Sequence, residues 1–140
     1  MKKYIAIWFL FFSLCFSAQQ NLLQSGPMVG YCEMTEAKIW VQTKSESIVK
    51  IQYAPIENSK EIGYSKELKT SAESGYTAHI VLENLTPNQK YSYQVLINNI
   101  PVNTPYETSF TTKKLWQWRE QAPDFTVALG SCAYINETQF

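Results

Sequence analysis

Apolar and polar residues alternate in short runs from Gly26 to Thr112, the period of two that places every second side chain of a strand on one buried face. Ala37, Ile39 and Val41 share a face in one run, and Val49, Ile51 and Tyr53 share one in the next. Tyr76, Ala78, Ile80 and Leu82 mark a third run, and Tyr91, Tyr93, Val95 and Ile97 a fourth. Pro55, Pro87, Pro101 and Pro105 fall between runs, together with Asn58, Gly75 and Asn98-Asn99, where turns need residues that preset or relax φ. Helical spacing is nearly absent. About six or seven short strands at this spacing predict an all-β fold, a two-sheet sandwich in which alternate residues of both sheets fill one core.

The segment Leu85-Thr86-Pro87-Asn88-Gln89-Lys90-Tyr91-Ser92-Tyr93 resembles the turn into the sixth strand of fibronectin type III domains. That resemblance implies a tyrosine corner, in which Tyr91 bonds back to the backbone a few residues upstream. The Cys…Trp…Cys pattern of antibody domains is absent, so the fibronectin branch of the immunoglobulin-like sandwiches is the better match.

Beyond Phe110-Thr111-Thr112 the texture changes. Residues 113–123 form a charged and aromatic linker containing Lys113, Lys114, Trp116, Trp118, Arg119 and Glu120, and Phe125 to Leu129 is a nearly continuous apolar run before Gly130-Ser131-Cys132. Continuous apolarity suits a strand buried on both faces of a central sheet. A single such strand is not stable without neighbours, so the sequence reads as a longer protein interrupted at Phe140.

The first 18 residues have the parts of a secretory signal: Lys2 and Lys3, an apolar run from Ile5 to Phe16, and small residues at Ser17 and Ala18, with cleavage expected after Ala18. The run is short for a membrane span of about 30 Å, so no transmembrane anchor is expected after cleavage, and the product is placed in the periplasm or outside the cell. No Arg pair precedes the run, which argues for export unfolded. Twelve basic residues balance twelve acidic ones in the whole chain; setting Lys2 and Lys3 aside leaves no basic footprint for nucleic acid. Nine Tyr and seven Phe suit a module that packs aromatics between sheets, and no disordered composition is present.

The order of parts, with an opening at Ser25-Gly26-Pro27-Met28-Val29-Gly30, a closing Phe110-Thr111-Thr112, a short linker and then Phe125-Thr126-Val127-Ala128-Leu129-Gly130-Ser131-Cys132-Ala133-Tyr134, resembles the start of a PhoD-like alkaline phosphatase. The resemblance implies a fibronectin-like module over 24–112, a linker over 113–123 and the first strand of an incomplete α/β metallophosphatase domain over 124–140. It further implies a phosphate-ester substrate for the complete protein, iron and calcium as its metals, and Cys132 as an iron ligand, a role a thiolate can fill at the carboxyl end of a sheet strand. The module itself is expected to be monomeric. A purple acid phosphatase also opens with such a module, but those enzymes begin their catalytic domain with a Gly-Asp step, from which Gly130-Ser131-Cys132 departs. A reading of another class is a stand-alone fibronectin-type binding or adhesion module.

A two-metal phosphoesterase needs several convergent Asp and His groups. This chain has one His, His79, and one Asp, Asp124, so catalysis by these 140 residues alone is not expected. His79 alternates with Ala78 and Ile80 and belongs on an outer face; Asp124 reads as a loop or capping residue; Cys32, in the first strand, reads as core. Tyr134 is placed at an active-site mouth or in ordinary packing. Trp116 and Trp118 are expected to pack the sandwich against a following domain, with a sugar-stacking platform as the alternative.

Overall fold

The computed structural model of the protein describes residues 22–117, 120–122 and 124–130. Within them nine strands follow in order: β1 (Leu23–Cys32), β2 (Ala37–Thr43), β3 (Ile48–Pro55), β4 (Gly63–Tyr64), β5 (Leu68–Lys69), β6 (Thr77–Leu82), β7 (Lys90–Ile97), β8 (Ile100–Pro101) and β9 (Ser109–Thr111). One sheet has the order β1-β2-β6; the other runs β4-β3-β7-β8, with β5 also on β3 and β9 also on β7. All pairings are antiparallel. This is the two-sheet sandwich that the alternation predicts, of the fibronectin type III-like kind that the resemblance at Leu85 to Tyr93 implies.

The strand count exceeds the expected six or seven because two outer strands are each divided. Opposite β3, the β4 and β5 registers differ by one residue, so the stretch between them bulges; Ser65 fills the gap, donating its N–H to the Ile51 carbonyl and accepting the Ile51 N–H on its hydroxyl at 2.9 Å. Opposite β7, the chain leaves after Val102 and returns at Thr108, and residues 103–107 loop out. Pro101 and Pro105 flank that departure, and a proline cannot donate to a ladder. The inner strands β3 and β7 pair without a slip from Val49↔Ile97 to Pro55↔Tyr91.

Of the residues that alternation selects, the core holds Ala37, Ile39 and Val41; Val49 and Ile51; Ala78, Ile80 and Leu82; and Tyr91, Tyr93, Val95 and Ile97; Phe110 joins them, and Tyr53 is only partly buried against the cluster. Tyr91 stacks on Phe110 with ring centroids 5.4 Å apart and meets Tyr53 edge-on at 6.2 Å, both favourable aromatic geometries. Gly63 makes room for this cluster, since a Cβ there would stand 2.7 Å from the tip of the Tyr53 ring. The tyrosine corner is present: the Thr86 N–H donates to the Tyr91 hydroxyl at 2.9 Å. Asn98 and Asn99 have φ of 52° and 65° and join Ile97 to Ile100, the two-residue turn whose twist matches the strands.

Three details depart from the sequence reading. Tyr76 does not extend the Ala78, Ile80, Leu82 face, because its φ of 57° turns the chain before β6 begins. Cys32 is half-buried at the rim of the core. Pro55 and Pro101 end strands and do not lie between them. The run from Phe125 to Leu129, which the sequence reading holds unstable without neighbouring strands, forms no strand among the described residues, and Phe125, Val127 and Leu129 are 85%, 63% and 94% exposed. Residues 1–18, Trp118, Cys132 and Tyr134 lie outside the described residues.

Candidate functional site

Two regions of the surface are built in ways the core does not require. The first is the pole where the chain leaves the sandwich. Thr112 is buried there; its N–H donates to the Gln89 carbonyl at 3.0 Å, its hydroxyl donates to the Thr86 carbonyl at 2.6 Å, and that hydroxyl accepts the Gln89 N–H at 2.9 Å. Lys113 then donates its N–H to the Glu33 carbonyl at 3.2 Å and its ammonium to the Glu33 carboxylate at 2.8 Å. The thiol of Cys32 donates to the Thr111 carbonyl at 3.2 Å. Burial pushes that thiol up from its ordinary range, Glu33 adds to the effect and Lys113 opposes it, so Cys32 stays protonated and is a poor nucleophile at neutral pH. The linker therefore departs from a fixed point. Beyond it Trp116 is half-exposed and its indole donates to the Glu120 carbonyl at 3.0 Å, and Asp124 is an exposed loop residue.

The second region is a groove of about 220 Å³ on the outer face of the larger sheet. Its floor follows from register: Gln52 lies opposite Gln94, and Ala54 opposite Ser92, so two amides stand beside a pair of small side chains. Ser59 and Ile62, from the β3–β4 loop, form the wall, and Tyr53 and Tyr93 complete the lining. That loop is held in place by Ile56 N–H donating to the Lys90 carbonyl at 3.0 Å, Asn58 N–H to Pro55 at 3.1 Å and Glu61 N–H to Asn58 at 3.0 Å. Among the described residues neither glutamine amide has a hydrogen-bond partner. Sequence reasoning missed this groove, because its glutamines are the ordinary polar half of two alternating runs.

Tyr93 carries the largest perturbation on the sheet that floors the groove: burial, with a smaller effect from Tyr106, pushes its phenol up to about 12. Burial also raises Tyr53. A raised phenol binds its proton more tightly in the folded state, so its contribution to stability is complete below the ordinary value of 10 and is lost as pH rises from there towards about 12. Urea unfolding across that alkaline range should show falling stability, and Tyr93→Phe should flatten the fall; an unchanged slope in the variant would assign the loss to other groups.

Among the described residues, no three His, Cys, Asp or Glu side chains converge to hold a metal ion. His79 stands exposed on the outer face of β6, opposite Trp40. No described helix is long and apolar enough to cross a membrane.

The model of the DUF7800 family, a domain of unknown function, matches residues 20–115. The chain belongs to this family. No curated protein matches its sequence. Among solved structures, this DUF7800 domain is similar to the sensor domain of the anti-sigma factor RsgI4 of Pseudobacteroides cellulosolvens, at 16% identity and a TM-score of 0.51, over 71% of this chain and 100% of that one. It is similar to PhoD at 16% identity and a TM-score of 0.50, over 60% of this chain but only 18% of that one. A fibronectin type III domain of human contactin 1 aligns over 76% of this chain and 96% of that one, at 20% identity and a TM-score of 0.43. At these identities the likenesses to the sensor domain and to PhoD speak to the DUF7800 fold and not to its activity.

Proposed function

We propose that this DUF7800 module is the exported amino-terminal part of a longer phosphoric-ester hydrolase of the PhoD-like kind, in which it positions a catalytic domain and contributes no chemistry. The observation that carries this reading is the apolar run 125–129, which follows a linker fixed at Lys113 and exposes Phe125, Val127 and Leu129 to solvent. Leaving that much apolar surface in water is unfavourable by about 25 cal/mol per Å², and burial on both faces of a larger sheet would remove it. In this reading residues 1–18 direct export, residues 124–140 open the catalytic domain, and Cys132 is an iron ligand at the end of its first strand. The described residues supply no metal site, so iron and calcium would draw their remaining ligands from chain beyond the module. The fold likeness to PhoD is compatible with this arrangement.

The test is to read the coding sequence past the codon for Phe140 and assay the extended product on a chromogenic phosphodiester, with and without iron and calcium. Metal-dependent turnover that disappears in Cys132→Ala is the expected result. A stop codon, an open frame without Asp and His clusters, or turnover indifferent to Cys132→Ala would overturn it. The reading of a stand-alone binding module is favoured by a different observation: the family match ends at residue 115, so the sandwich is the recurring unit, and it carries a groove of its own.

A further inference from the structure

We infer that the groove on the outer face of the larger sheet is a binding site for a neutral carbohydrate. The inference does not rest on the phosphatase reading and would hold for the module in either setting.

The lining chemistry selects the ligand class. Gln52 and Gln94 each offer two N–H donors and a carbonyl acceptor, side by side in register, and none of these is engaged by another described residue. Ser59 adds a free hydroxyl on the wall; Ser92, opposite Ala54, makes only a long 3.5 Å bond to the Ala54 carbonyl. Groups that both donate and accept, without net charge, match sugar hydroxyls, which do the same. No acidic or basic side chain lines the groove, so an anion or a cation would find no counter-charge there.

A stacking surface stands at the margin. Tyr64 lies opposite Gln52 in register, which puts it on the same outer face, and it is 56% exposed. The ammonium of Lys50 sits 5.7 Å from the centre of its ring and is also paired with Glu67 at 3.2 Å, so the ring is steadied and the nearby charge is balanced. An amphipathic ring beside unpartnered amides presents an apolar surface to the C–H face of a pyranose and hydrogen bonds to its hydroxyl edge. Ile62 gives a second apolar contact from the wall. The volume is smaller than the ~300 Å³ at the low end for drug-sized ligands, which suits one ring of an extended glycan lying along the open groove. Because the β3–β4 loop is already pinned by its backbone bonds, little ordering remains to oppose binding.

The experiment is an amide NMR titration of the full chain with neutral oligosaccharides (cellohexaose, xylohexaose, maltohexaose and N-acetylchitohexaose), with pentagalacturonate as the anionic control. At least one neutral sugar should shift the Gln52, Ala54, Ser92 and Gln94 amides saturably. Tyr64→Ala and Gln94→Ala should each weaken that binding at least ~5-fold, while His79→Ala, on the opposite sheet, should leave it unchanged. Each variant's amide spectrum shows independently that it is folded. Silence across the neutral panel, preference for the uronate, or shifts that survive both groove substitutions would overturn the assignment.

Discussion

Ile39→Ala is expected to lower the unfolding free energy by about 2–5 kcal/mol, the range for removing a branched aliphatic side chain from a packed core. Ile39 is fully buried at the centre of β2, between Val29 on one side and Ile80 on the other. As the middle strand of its sheet, β2 is held on both edges and cannot shift to close the void. Against a total stability of about 5–15 kcal/mol for a domain of this class, the loss should appear as a lower urea midpoint with an unchanged slope. Val29→Ala, two-fifths exposed on the adjoining strand, is the internal comparison and should lose far less. Similar losses at the two positions would contradict the placement of the core.

Thr70→Val is expected to destabilise the module by about 1–3 kcal/mol although the two side chains have nearly the same shape, because it leaves a buried donor unsatisfied. Thr43, Ser47 and Thr70 are all buried at the pole opposite the linker. Their hydrogen bonds form one chain: the Ser47 N–H donates to the Thr70 hydroxyl at 3.0 Å, the two threonine hydroxyls lie 2.9 Å apart, and the Thr43 hydroxyl donates to the Ser45 carbonyl at 2.8 Å. With one hydrogen per hydroxyl, either threonine can donate across the 2.9 Å contact, and the Ser45 and Ser47 carbonyls lie within reach of the Thr70 hydroxyl. This polar cluster joins the end of β2 to the residue after β5, and so ties the two sheets together. In a double-mutant cycle, Thr43→Val and Thr70→Val together should cost less than the sum of the single changes; strict additivity would show that the hydroxyls act separately.

The contrast between these positions shows what could be read from the chain. Ile39 belongs to a run whose period of two is unbroken, and Tyr91 follows a turn sequence with a recognisable corner, so both were legible and both are where the pattern places them. The Asn98-Asn99 turn was legible because few residues tolerate the conformation it needs. Thr70 carried no signal: it follows a two-residue strand, and its importance arises from a partner on the other sheet. The groove was hidden for the same reason, since Gln52 and Gln94 become neighbours only through the β3–β7 register. Tyr76 misled because its aromatic side chain fits the alternation while its backbone turns away. Cys132, the one metal ligand that the sequence suggested, lies outside the described residues and rests on the order of parts around it.

The divided outer strands have a consequence for the protein at high concentration. An unbroken strand at the margin of a sheet offers its free backbone groups to any second chain, and growth from such a margin leads to aggregates. Three register shifts interrupt β1, a bulge separates β4 from β5, and the 103–107 loop separates β8 from β9. Among the described outer strands, β6 alone runs six residues without interruption, with the Lys66–Glu83 ion pair across its far end. Storage-induced association of this protein should therefore begin along β6, and the surest way to keep concentrated samples clear is to place a charge or a proline there.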